Sequence, residues 1–211
     1  DDRPGRSVHR TGWCSGAGSI APRLVRLEHQ VIDPFCFLID PADGKTLPRG
    51  QQGEICFRGY NIMSRYYNNP DATNEAIDRA AWLHSGDLGV MDEAGYVKIT
   101  GRIKEMVIRG GENLYPREIE EFLRTNDNVM DVYVIGVPDI KYGEQLMAWV
   151  LPMEGKQLDE EGMRAYCKGK ITHHKVPYYW KFVEKTEDFP MTVTGKIQKF
   201  KMREMAVEEL G

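Results

Sequence analysis

From Phe35 onward, short apolar runs alternate with turn residues. FCFLID, PADGKTLPRGQQG and EICFRGY follow one another in a rhythm that predicts antiparallel strands with Asp43-Gly44 at a hairpin turn. The polar stretch NNPDATNEAIDRAAW predicts a loop and a short helix. After it, GVMD and YVKITGR flank Glu93-Ala94-Gly95 as a second hairpin. Residues 35–102 therefore read as mainly β.

Beyond Arg102 the rhythm changes. MVIR and NLY read as short strands joined by Gly110 and Gly111, and Pro116 then opens a helix whose Ile119, Phe122 and Leu123 share one face. VMDVYVIGV and QLMAWVL read as two further strands. A helix from Asp159 carries Met163, Tyr166, Cys167 and Ile171 at i, i+3, i+4 and i+8, and WKFVEK reads as a last strand. The final helix, from Lys199, puts Met202, Met205, Ala206 and Leu210 on one stripe. Core packing accounts for all three stripes. Strands and helices in this order predict an α+β class: a β-rich segment followed by a compact α+β domain, with the boundary near Arg102 to Glu105.

Composition narrows the function. Hydrophobic residues make up 41% and charged residues 28%, as in a globular protein, while the net charge of -4 and pI near 5.8 argue against nucleic-acid or anionic-membrane partners. Cys14, Cys36, Cys56 and Cys167 form no CxxC pair, so no metal site or disulfide framework is expected and reduced thiols in the cytoplasm fit best. No transmembrane segment is expected, since no run approaches the roughly 18 apolar residues of a span.

Residues 1–34 remain unassigned, and poor order is expected there. Arg3, Arg6, Arg10, Arg23 and Arg26 among Ser and Gly could mimic an organelle transit peptide, a reading ranked below the cytoplasmic one. Gly16, Gly18 and Ala21 have dinucleotide-loop spacing, but Trp13-Cys14-Ser15 supplies no preceding strand and Pro22 discourages the helix that should follow.

Three runs invite a chemical reading: WLHSGDLG (82–89), GRIKEMVIRGGENLYPREIE (101–120) and PMTVTGKIQK (190–199). Asp87 lies in a glycine-loosened SGD turn, where a carboxylate can accept hydrogen bonds from two adjacent hydroxyls or simply cap the turn. Arg102 offers a permanently charged fork for oxygen acceptors, or a surface partner for Glu105. The Gly110-Gly111 pair lets a ligand approach the backbone and also serves a tight hairpin. Gly195 permits a turn that projects Lys196, a mobile cation able to offset charge developing between two anions. His173-His174 adjoin on an expected helix end, where neighbours do not face one another as metal ligands, and no cysteine has an evident His partner.

In order and spacing, with GEICFRGY upstream, these runs resemble the adenylate-forming superfamily of acyl-CoA synthetases, luciferases and adenylation domains, over about residues 35–211. RGGENLYPREIE, CKGKI and TVTGKIQKFKMRE look closest to medium- and long-chain fatty acyl-CoA synthetases. The resemblance implies ATP binding through Asp87 and Arg102 at the ribose, a catalytic, ATP-contacting Lys196, a hinge at Lys104, and a CoA channel lined by Gly110 and Gly111. Leu83 and Ser85 depart from the family's aromatic-x-T-G-D, and Glu105 from its common aspartate.

The implied organisation is a partial-barrel, β-rich end of a large N-terminal domain over 35–102, a hinge at 103–105 and an α+β C-terminal domain over 106–211. The family's Pro-Lys-Gly phosphate loop and aromatic-Gly-x-Thr-Glu motif are not found in the sequence. By resemblance the chain therefore corresponds to roughly the last two-fifths of an enzyme that joins a carboxylic acid, expected to be a fatty acid, to CoA using ATP. Mg2+ would be held mainly by the missing N-terminal domain, and these residues alone would be inactive. Two alternatives stay open: a stand-alone, non-catalytic nucleotide- or CoA-binding module, and an adenylation domain that loads a carrier protein.

Overall fold

The computed structural model describes residues 35–211. The expectation of poor order over 1–34, the transit-like arginines and the Gly16/Gly18/Ala21 spacing lie outside the described residues. Two sheets organise the rest. The first contains β1 (Phe35–Ile39), β2 (Gln52–Arg58), β3 (Leu83–Met91) and β4 (Val97–Arg102), antiparallel throughout in the order β1-β2-β3-β4. Their alternating apolar residues bury Leu38, Ile55 and Val97, with Leu47, Phe57, Met91 and Ile99 packed around them. The sheet is open, without barrel closure among the described residues. Helix α1 (Pro70–Ala76) starts where the polar stretch predicts it: Pro70 opens the first turn and Asn69 caps it by accepting from the Ala72 N–H at 3.0 Å.

The second sheet contains β5 (Val107–Arg109), β6 (Glu112–Leu114), β7 (Val129–Asp139), β8 (Gly143–Pro152) and β9 (Tyr179–Phe182). Strand β7 lies antiparallel along one edge of β8; the other edge takes β5 at Gly143 and, in parallel, β9 at Met147–Val150. Both faces are covered, which explains the uninterrupted apolar runs of β7 and β8. On one face Val132, Val134, Leu146, Ala148 and Val150 pack with Ile119 and Leu123 of α2 (Pro116–Leu123) and with Met163 and Cys167 of α3 (Glu160–Cys167). On the other, Ile135, Val137, Met147, Trp149 and Leu151 pack with Phe189 and with Met202 and Ala206 of α4 (Lys199–Leu210).

Two helix expectations need correction. Helix α3 ends at Cys167, so Ile171 reaches the core from the following loop instead of from a helical stripe. In α4 only Met202 and Ala206, one turn apart, meet the sheet; Met205 and Leu210 are 42% and 43% exposed because α4 rests on β7 along one narrow line.

At Gly136 the two halves of the second sheet meet closely. A Cβ there would fall 2.9 Å from Val107 Cγ2 and 3.2 Å from Cγ1, closer than carbon atoms pack. Gly136→Ala is therefore expected to cost about 1–3 kcal/mol through forced displacement of β5. The measurement is a lowered urea midpoint with an unchanged slope; an unchanged midpoint would show that β5 yields freely.

Candidate functional site

The sequence places Asp87 in a turn, but the structure places it in a bulged strand. On β3, Leu88 faces Glu54 and His84 faces Cys56, so one residue of β2, Ile55, opposes three of β3, Ser85, Gly86 and Asp87. Gly86 takes φ +70° in this bulge. Across the Glu93–Gly95 turn the register shifts by one residue between Leu88 and Gly89, and beyond the shift Asp87 pairs with Arg102 of β4. Backbone pairing thus brings the two side chains together, and Arg102 Nε donates to Asp87 Oδ1 at 2.8 Å. Arg102 is 64% exposed and Asp87 27%, so this ion pair, made through Asp87 Oδ1, is worth about 0–1 kcal/mol.

Strand β4 passes directly into a single 3-10 turn, Ile103–Glu105, which joins the two sheets. Lys104 projects from it, 85% exposed, with its ammonium 3.3 Å from Glu75 of α1. Glu105 is held more firmly. Lys199 Nζ lies 2.8 Å from Glu105 Oε2 and 2.8 Å from Glu120 Oε1 of α2, in a position where Lys199 is only 17% exposed.

Gly110 and Gly111 form the two-residue connection between β5 and β6, at φ +59° and +86°, as a hairpin with the primed twist requires. The Gly110 N–H donates to the Tyr142 carbonyl at 2.8 Å. The Tyr142 ring carries Arg109 at 4.4 Å and Lys141 at 4.8 Å, so the glycine tip is flanked by cations.

Lys196 lies on a separate hairpin. Thr192 N donates to the Lys196 carbonyl at 2.8 Å, Lys196 N donates to Thr192 Oγ1 at 3.1 Å, and the Met191–Ile197 bridge closes the base. Gly195 supplies φ +79°, a conformation that would strain any residue with a side chain. The Lys196 ammonium is exposed and makes no hydrogen bond or ion pair with any described residue. Three residues on, Lys199 opens α4 and fastens the hairpin's base to Glu105 and Glu120.

Sequence reasoning missed one buried cluster. Glu54 is 7% exposed and Cys56 2%; His84 Nδ1 lies 2.9 Å from Glu54 Oε2 and 3.6 Å from Cys56 Sγ. These are the only residues among those described whose ligand atoms converge as a metal would require. Burial, with the nearby carboxylates of Glu54 and Asp78 and the Cys36 thiol, pushes the Cys56 thiol up to about 12, so it stays protonated. Burial likewise pushes Cys36 and Cys167 up to about 11. A mixed N, O and protonated S set does not suit Mg2+, which demands hard oxygens in octahedral geometry. Cross-strand pairing of β2 with β3 brings the group together, and the sequence carries no turn that announces that pairing. His173 and His174 fall in a 3-10 turn, and His174 Nδ1 lies 3.5 Å from Glu112.

Residues 118–196 match the AMP-binding enzyme C-terminal domain family. The Bacillus subtilis (strain 168) protein YngI, described as a candidate acyl-CoA synthetase, is 53% identical over 171 residues, covering 81% of this chain and 31% of the relative. The medium-chain acyl-CoA ligase ACSF2, mitochondrial, of Danio rerio is 45% identical over 174 residues, covering 82% of this chain and 28% of the relative. Among solved structures, ATP-bound MatB from Rhodopseudomonas palustris superposes with a TM-score of 0.78 at 35% identity, covering 84% of this chain and 35% of that one. The chain thus spans about three tenths of the length of these curated relatives, less than the two-fifths expected from sequence.

Proposed function

The chain belongs to the adenylate-forming superfamily of acyl-CoA synthetases, matching its C-terminal portion, and on that premise we propose that it serves a ligase joining a fatty acid to CoA. The reaction is carboxylic acid plus ATP to acyl-adenylate and pyrophosphate, then attack of the CoA thiol to give acyl-CoA and AMP. The observation that carries this reading is the Asp87–Arg102 pair, set in register across β3 and β4 immediately before the connecting turn. In this reading Asp87 and Arg102 bind the ribose of ATP, and Lys196, unpaired on its hairpin, approaches the α-phosphate and the acid. The turn at 103–105 is the hinge between a β-rich domain end (35–102) and a C-terminal domain (106–211), with Lys104 as the hinge residue. Gly110 and Gly111 line the CoA path, where Arg109 and Lys141 suit the anionic CoA phosphates.

The described residues offer Mg2+ no set of oxygens, so no step is assigned to it here. A cytoplasmic location is proposed, with a mitochondrial one as the alternative raised by the ACSF2 relatives; among the described residues no helix is long and apolar enough to cross a membrane.

The reading is tested with the 211 residues alone and with the full-length protein that contains them. The residues alone are expected to give no carboxylate-dependent ATP–pyrophosphate exchange, because they hold no phosphate loop, and the full-length protein is expected to exchange. Exchange by the 211 residues would overturn the assignment of phosphate binding to residues outside them.

A further inference from the structure

We infer that Glu54 is a positioning residue for the nucleotide site: its buried carboxylate holds the β3 bulge in the shape that presents Asp87 to the ribose. The inference rests on the proposed ribose role of Asp87. It begins from a carboxylate where none is expected, since an ionised group at 7% exposure is costly unless its oxygens are hydrogen-bonded. Here both are occupied. Glu54 Oε1 accepts from the Gly86 N–H at 3.0 Å, and Oε2 lies 2.9 Å from His84 Nδ1.

Gly86 lies within the bulge that ends on Asp87, and His84, paired with Cys56, immediately precedes it. Because Ile55 alone opposes Ser85, Gly86 and Asp87, the bulge removes ladder partners from that stretch of β3. An unpaired backbone N–H inside a sheet must find another acceptor. The Glu54 side chain takes the Gly86 N–H in place of a strand carbonyl, and Ser85 Oγ takes the Asp87 N–H at 3.1 Å. His84 braces the near side: its Nε2 lies 3.7 Å from Asp78 Oδ2, and Asp78 Oδ1 accepts the Ala80 and Trp82 N–H groups at 2.9 and 2.8 Å. The segment before Asp87 is thereby fixed at both ends, while Arg102 fixes Asp87 from β4. Residues in this arrangement act through Asp87 and touch no substrate themselves.

The test uses the full-length enzyme and compares ATP with 2′,3′-dideoxyATP, which lacks both ribose hydroxyls. Asp87→Ala should lose the preference for ATP. Glu54→Ala should lower that preference by about tenfold, the scale of one lost hydrogen bond to a charged group, through a raised KM for ATP with the KM for the carboxylic acid unchanged. Glu54→Gln, which keeps an acceptor for Gly86, should restore most of it. If Glu54→Ala does not fold, Glu54→Asp, too short to reach both Gly86 and His84, should lower the preference in its place. Unchanged preference in the folded Glu54 variant, with the preference lost in Asp87→Ala, overturns the positioning role alone. Preference retained in Asp87→Ala overturns the ribose reading and this inference with it.

Discussion

Lys196→Ala in the full-length enzyme is expected to slow acyl-adenylate formation by about 10²–10³-fold, the scale of losing one group that stabilises developing charge. CoA transfer from a supplied acyl-adenylate should be spared. The split follows from the site: Lys196 is fixed only through its backbone, at the tip of a glycine hairpin, and its ammonium has no partner among the described residues to hold it in place. A cation so mounted contributes little to folding and can be brought to the α-phosphate in one half-reaction and withdrawn in the other. Lys196→Ala should leave the unfolding midpoint unchanged. Equal loss of both half-reactions would contradict the assigned role.

Lys199→Ala should behave in the opposite way, removing stability. Lys199 Nζ neutralises Glu120, whose Oε1 also accepts the buried Val134 N–H at 2.8 Å. Without the lysine a carboxylate is left uncompensated at 5% exposure, at a cost of about 3–5 kcal/mol. Glu120→Gln keeps the acceptor for Val134 and removes the charge, so the double variant Lys199→Met/Glu120→Gln should recover most of the loss. Denaturant unfolding checks both. A loss below about 1 kcal/mol in Lys199→Ala would mean that the pair behaves like an exposed ion pair.

Much of this arrangement was legible in the sequence where physics is local. Pro70, Pro116 and Asp159 mark helix starts, and the apolar runs of β7 and β8 announce strands buried on both faces. Reading the hairpin outward from the Glu93–Gly95 turn would have set Asp87 opposite Gly101; a one-residue register shift between Leu88 and Gly89, which the sequence does not announce, brings it opposite Arg102 instead. Glu54 and His84 were not legible that way. The chain between β2 and β3 includes α1 and its loops, so no turn fixes their register, and the bulge at Gly86 shifts it further. Lys199 reads in KIQKFKMRE as one of several solvated lysines; only the fold brings its ammonium between Glu105 of the connecting turn and Glu120 of α2. The stripe expected on α4 was too broad because helical periodicity shows which residues share a face, but not how much of that face a neighbour covers.

The central claim is most directly tested by product analysis of the full-length protein incubated with ATP and CoA across a panel of carboxylic acids of increasing chain length. Formation of AMP and acyl-CoA in equal amounts, dependent on a medium- or long-chain fatty acid and on CoA, is the predicted result. Release of ADP, or AMP formation indifferent to the added acid, would contradict it.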